Sequence, residues 1–126
     1  KEFICPGAVY FAPPDYHVLV EKDRSLSLSN EEPVSYARPS IDVLFESAAD
    51  VYGKTLLALI LSGANHDGAQ GSRSVVKAGG TVLVQLPESA AARIMPEATL
   101  AACPDARAMS LSDINQLLAS REPRES

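Results

Sequence analysis

The segment Thr55-Leu56-Leu57-Ala58-Leu59-Ile60-Leu61 constrains this chain more than any other. It is apolar on both faces, the mark of a central strand in a parallel sheet covered by helices on either side. Parallel strands require a crossover, and the following residues supply one. Ser62-Gly63-Ala64-Asn65-His66-Asp67-Gly68 forms a Gly-rich turn, residues 68–78 fit a helix carrying Val75 and Val76, and Gly79-Gly80 close it. Thr81-Val82-Leu83-Val84-Gln85 is then a second buried strand. The whole is a β-α-β unit, with the right-handed crossover expected of such units.

Other elements group around that unit. Ala8-Val9-Tyr10-Phe11-Ala12 reads as a short buried strand stopped by Pro13-Pro14-Asp15. Residues 17–21 and the strictly alternating Ser25-Leu26-Ser27-Leu28-Ser29 predict an antiparallel hairpin turning at Lys22-Asp23-Arg24. Residues 30–39 are polar and Pro-flanked, hence a loop. Ser40 can cap a helix whose apolar stripe is Ile41, Leu44, Phe45, Ala48 and Val51, with Asp42 near its positive end and Gly53 closing it. Residues 88–93 suit a short helix, and Pro96 the first position of another running to about Ala102. Residues 106–109 suit an edge strand. Residues 110–120 form a last helix with Leu111, Ile114, Leu117 and Leu118 on one face, before a polar tail at 121–126. The fold class is therefore α/β, with a doubly wound, mostly parallel sheet, helices on both faces and a small antiparallel hairpin.

Bulk properties narrow the function classes. The 126 residues make one ordinary domain, and 46% apolar residues suffice for a core. A net charge of −5 and a pI near 4.9 disfavour nucleic acid as a partner. The longest apolar run, residues 56–61, is too short for membrane insertion, and no secretory leader is recognisable. Cys5 and Cys103 form no CxxC pair and read as free thiols in a reducing, cytoplasmic setting. No metal or cofactor motif occurs. The spacing of Gly63 and Gly68 matches the start of a phosphate loop, but Ala69-Gln70 stand where Lys and Ser/Thr are needed, and no GxGxxG is present.

Chemistry then concentrates in one turn. Open α/β sheets bind ligands at the carboxyl ends of their strands, and the turn after Leu61 is such an end. Gly63 and Gly68 let the backbone approach a ligand or adopt positive φ. Asp67 enters the next helix, where it reads either as an N-cap or as a buried carboxylate orienting a histidine; the two roles are compatible. Ser62, His66 and Asp67 are too close in sequence to converge as a triad, so Ser62 reads as a turn hydroxyl bonding local backbone and His66 as a solvated residue. His17 reads as structural or surface rather than as a base. No GxSxG elbow occurs.

The ordered motifs Pro6-Gly7-Ala8-Val9-Tyr10-Phe11-Ala12-Pro13-Pro14-Asp15-Tyr16-His17 and Arg38-Pro39-Ser40-Ile41-Asp42-Val43-Leu44-Phe45-Glu46-Ser47-Ala48-Ala49 resemble the catalytic domain of chemotaxis protein-glutamate methylesterases, the CheB family. Leu61-Ser62-Gly63-Ala64-Asn65-His66-Asp67-Gly68-Ala69 is similar to that family's Leu-Thr-Gly-Met-Gly-x-Asp-Gly-Ala. Ala78-Gly79-Gly80-Thr81, Gln85 and Met95-Pro96-Glu97-Ala98 follow its later motifs. The resemblance implies a Rossmann-like α/β esterase, independent of cofactors, that demethylates glutamate γ-methyl esters of chemoreceptors. Some members also deamidate receptor glutamines. It implies residues 1–120 as the carboxyl-terminal portion of the domain, with Asp67 as the triad acid and Ser62, Gly63, Ala64 and Asn65 as oxyanion or pocket wall. The nucleophilic Ser and the base His belong to a preceding half that this chain does not contain, so the chain alone is expected to be inactive. The methylated receptor and that amino-terminal half are the implied partners; a non-catalytic module that binds a receptor without chemistry is the alternative. Ala64-Asn65 replace the family's Met-Gly. Ala64 can still offer a backbone N–H to an oxyanion, and Asn65 tolerates positive φ.

Overall fold

A computed structural model describes residues 2–8, 10–33 and 39–120. The tail at 121–126, Val9 and residues 34–38 of the expected loop lie outside the described residues. Two small sheets are joined by a helix pair. Strands β2 (His17–Val20) and β3 (Ser25–Ser29) form the expected antiparallel hairpin, with Val18 opposite Leu28. Arg24 takes the positive φ that the tight turn demands, and its guanidinium lies 5.4 Å from the Tyr52 ring centre. Strand β1 (Glu2–Phe3) pairs with the other edge of β3.

The expected strand over residues 8–12 does not form. Its described residues carry no ladder, and Phe11 is 90% exposed. Local apolarity marked the segment, but a strand also needs a neighbour, and β1 already occupies the free edge of β3.

Helix α1 (Ile41–Tyr52) follows, with Gly53 at its carboxyl end at φ 52°. Ala48 and Ala49 are buried. Ser47 Oγ accepts a 2.9 Å bond from the Val20 N–H, fastening α1 to the hairpin. Strand β4 (Leu57–Ile60), helix α2 (Ala69–Lys77) and strand β5 (Thr81–Gln85) make the β-α-β unit, with β4 and β5 parallel and Ile60 opposite Val84. The Gly79 and Gly80 N–H groups close α2 on the Val76 and Val75 carbonyls. Strand β6 (Arg107–Met109) pairs parallel with β5 on its far side.

Strand β4 is thus the edge of this sheet and β5 its centre, the reverse of what the apolar run suggested. Within the described residues nothing pairs with the other side of β4, and Leu57 and Leu59 are only half-buried. In β5, Val82, Leu83, Val84 and Gln85 are all buried, so both faces are covered there. Ala58, Ile60, Val82 and Val84 meet Ala49, Val75 and Met95 in one core.

Residues 87–89 form a 3₁₀ turn rather than a longer helix. Helix α3 (Ile94–Ala102) starts two residues before Pro96, which sits harmlessly in the first turn, where N–H groups lack intrahelical acceptors anyway. Helix α4 (Leu111–Ser120) packs on β5 and is capped by Ser110 Oγ, which accepts the Asp113 N–H at 3.1 Å. Of its apolar face only Ile114 is buried; Leu111 and Leu118 are exposed.

Candidate active site

The site is built where two helix N-termini meet. Helix α1 begins at Ile41 and helix α2 at Ala69. Each N-terminus is a cluster of unpaired N–H groups carrying partial positive charge. Each is satisfied by a carboxylate from the other helix's entry. Asp67 Oδ2 accepts the Ile41 N–H at 2.5 Å, and Asp67 Oδ1 accepts the Asp42 N–H at 2.9 Å. In return, Asp42 Oδ1 accepts the Gly68 N–H at 3.0 Å and the Gly71 N–H at 2.6 Å. Asp67 is therefore an N-cap, but of α1 rather than of its own helix.

This exchange works because the helices touch closely. A Cβ on Gly71 would lie 2.8 Å from Phe45 Cβ and 2.9 Å from Asp42 Cα. Gly68 stands at φ 104°, and a side chain there would strike Ile60 Cδ1 at 2.7 Å.

Ser40 occupies the N-cap position of α1 in extended backbone, yet its hydroxyl makes no cap bond to that helix. It donates instead to Asp67 Oδ1 at 2.9 Å. The Ser40 N–H donates to His17 Nδ1 at 3.1 Å, and His17 Nε2 lies 2.9 Å from the Glu32 carbonyl. A backbone N–H can only donate and a carbonyl only accept, so the ring carries its proton on Nε2. His17 is buried and structural. Ser40 and Asp42 were not among the expected site residues, whereas the structural reading of His17 stands. The signal available in the sequence was the cap pattern at Ser40 and Asp42, which pointed to the right groups but the wrong helices.

Both carboxylates are buried, Asp67 at 2% exposure and Asp42 at 5%. Burial pushes the Asp42 carboxyl above its ordinary 3.8, the Gly71 and Gly68 N–H bonds pull it back, and the neighbouring Asp67 charge raises it further.

The rest of the turn is held from the opposite side. Ser62 Oγ accepts the Ala92 N–H at 2.8 Å, the Gly63 N–H donates to the Ala92 carbonyl at 3.1 Å, and the Met95 N–H donates to the Gly63 carbonyl at 3.0 Å. Ser62 thus bonds backbone thirty residues away rather than locally. Gly63 is not at positive φ; a Cβ there would fall 2.5 Å from Met95 Cε. Asn65 is not at positive φ either. Its Oδ1 accepts the Asp67 N–H at 2.9 Å, a local turn of the kind Asn favours. Ala64 is exposed at the tip, as is His66. The turn therefore presents Asp67 inward to α1, and Ser62 and Gly63 to the entry of α3. Among the described residues, no group of three His, Cys, Asp or Glu side chains is placed to hold a metal ion.

A family model described as CheB methylesterase matches residues 1–118. The chain belongs to the CheB methylesterase family. It is 47% identical over 117 residues to a putative protein-glutamate methylesterase/protein-glutamine glutaminase of Leptospira interrogans, covering 93% of this chain and 61% of that protein. A protein-glutamate methylesterase/protein-glutamine glutaminase of Rhodospirillum rubrum is 41% identical over 96 residues, covering 74% of this chain and 25% of that protein. The crystal structure of the Thermotoga maritima CheB methylesterase catalytic domain superposes with a TM-score of 0.85 at 26% identity, over 95% of this chain and 68% of that one. The chain thus spans about three fifths of the Leptospira relative, and its α/β architecture is that of the CheB catalytic domain.

Proposed function

We propose that the whole protein carrying this chain is a serine-type protein-glutamate methylesterase acting on chemoreceptor γ-methyl esters in the cytoplasm. Glutaminase activity on receptor glutamines accompanies it, and Asp67 is the acid of the Ser-His-Asp triad. The observation that carries this reading is the state of the Asp67 carboxylate. It is buried just past the carboxyl end of β4 and held by three donors. A carboxylate offers about four lone-pair directions. Oδ1 uses two, Oδ2 uses one, and the remaining direction on Oδ2 is the one we assign to an imidazole N–H.

In the mechanism, Ser oxygen adds to the ester carbonyl as His takes its proton, and Asp67 steadies the imidazolium. The imidazolium proton leaves with the methoxy group as methanol, and water, activated by the same His, hydrolyses the acyl-enzyme. Ser62, Gly63, Ala64 and Asn65 wall the site. The Gly63 N–H is already bonded to Ala92, so the Ala64 N–H is the donor for the oxyanion. Ser and His are assigned to the preceding portion of the family domain, and the 126-residue chain alone is inactive. No helix among the described residues is long and apolar enough to cross a membrane, and Cys5 and Cys103 are both free thiols. Both fit a cytoplasmic enzyme reaching its receptor from solution.

The test is methanol release from methyl-esterified receptor by the whole protein. Asp67→Asn should lower turnover by about 10⁴-fold, the scale seen when a triad carboxylate becomes an amide. The amide also leaves the Ile41 N–H facing an NH₂ group, so thermal unfolding must confirm a folded variant. A folded D67N protein with near wild-type turnover overturns the assignment. A second reading, a non-catalytic receptor-binding module, draws on the capping of α1 by Asp67 through the Ile41 and Asp42 N–H groups, a structural task that needs no chemistry. Receptor binding by the whole protein with no methanol release would establish it.

A further inference from the structure

We infer that Ser40 is a positioning residue for the esterase chemistry, fixing which oxygen of Asp67 meets the base. The inference rests on the triad reading of Asp67. Local physics assigns the Ser40 hydroxyl a different task. Serine at an N-cap normally accepts an N–H from the first turn of its own helix. Here that turn is already capped by Asp67, through the Ile41 and Asp42 N–H groups. The Ser40 hydroxyl is freed from capping, and it donates to Asp67 Oδ1 at 2.9 Å. Together with the Asp42 N–H it saturates that oxygen, so Oδ2 alone keeps an acceptor direction.

The hydroxyl is also aimed by rigid surroundings. Ser40 is 2% exposed, and its N–H is tied to His17 on β2, whose other ring nitrogen is tied to the Glu32 carbonyl. The donor to Asp67 is therefore referenced to the hairpin as well as to α1. A charge-assisted hydrogen bond of this kind both shares the carboxylate's charge and sets its rotation. Without the Ser40 hydroxyl, Oδ1 would keep an open acceptor direction beside the one on Oδ2, and the imidazole could meet either oxygen, losing orientation in the transition state.

The experiment is a double-mutant cycle in the whole protein, with methanol release from methyl-esterified receptor as readout. Ser40→Ala should lower kcat roughly 10- to 100-fold with KM unchanged, the scale of one hydrogen bond to a charged group. In the D67N background, S40A should lower kcat no further, because the residue acts through Asp67. A folded S40A protein with wild-type kcat, while D67N is impaired, overturns the role of Ser40 and leaves the triad reading standing. Wild-type turnover in D67N removes the triad reading and this inference with it. Equal fold losses from S40A in both backgrounds, or a loss confined to KM, identify a merely structural serine and overturn the inference. If S40A gives no cooperative thermal transition, Ser40→Cys replaces it. The thiol keeps the size but donates weakly, so a folded S40C protein should show an intermediate loss of kcat, and wild-type kcat there overturns the inference.

Discussion

At the scale of single residues, Asp42 and Asp67 each accept the first N–H groups of the helix that the other introduces. The capping role of Asp67 was legible because it stands where a turn enters a helix. The helix it caps was not legible, since the exchange with Asp42, twenty-five residues away, depends on the amino-terminal turns of α1 and α2 meeting. Asp42 carries a sharper expectation. Both its bonds fall on Oδ1, which an amide can also supply. Asp42→Asn therefore keeps the α2 cap while removing a buried charge beside Asp67. The carboxyl is raised mainly by burial, so the folded state binds its proton more tightly than the unfolded chain. That contribution to stability is fully present below 3.8 and is lost as pH rises through the raised value. Urea unfolding should find D42N at least as stable as wild type at pH 7, with the wild-type protein closing the gap as pH falls to about 4. Asp42→Ala should instead destabilise at both pH values, by roughly 1–3 kcal/mol for each buried donor it leaves unpaired. A D42N protein markedly less stable than wild type at pH 7 would show that the charge, not the acceptor, is what α2 requires.

At the scale of elements, the sequence served well where a segment's neighbours are its own continuation. The hairpin, α1, the β4-α2-β5 unit and α4 all form close to where alternation, helical spacing and glycine stops place them. It failed where a segment's state depends on a distant partner. The described residues of the 8–12 segment have a strand's composition and pair with no strand, the outer edge of β3 being taken by β1. The clamp between the Gly63 turn and the entry of α3 was equally hidden. Gly63 looked like a residue kept small for a ligand or for positive φ, and it is kept small for Met95. Gly63→Ala would place its methyl 2.9 Å from Met95 Cβ, which cannot swing away as the thioether end can. The first turn of α3 must then shift, straining the bonds that Ala92 and Met95 make to the turn. The expected cost is about 1–3 kcal/mol in chemical denaturation, the range for overpacking a well-filled contact. A change within about 0.5 kcal/mol, the range of an ordinary surface substitution, would contradict that packing.

At the scale of the whole molecule, the apolar run that opened the sequence and the place of β4 in the sheet together make a statement about assembly. The run is apolar on both faces, as a strand buried on both faces should be. In the described residues β4 pairs only with β5, and Leu57, Leu59 and Leu61 keep part of their surface in water. Among the described residues its outer edge meets no strand, so a row of N–H and C=O groups lies beside apolar side chains, the arrangement that recruits another chain. Phe3, Phe11 and Leu28 add exposed apolar surface around the hairpin. The Thermotoga domain, of which this chain matches 68%, is long enough to hold further covering segments. The 126-residue polypeptide expressed by itself should therefore self-associate, giving a dimer or larger species in light scattering at tens of micromolar. Lysine substituted for Leu57 and Leu59, on the half-covered face, should shift that equilibrium toward monomer, because the charges oppose apolar contact there. Association that persists unchanged in the lysine variant would move the interface to the hairpin side. A monomer with a single cooperative unfolding transition would mean that the exposed edge of β4 is already protected within this chain, and that the sheet is stable as a three-stranded unit.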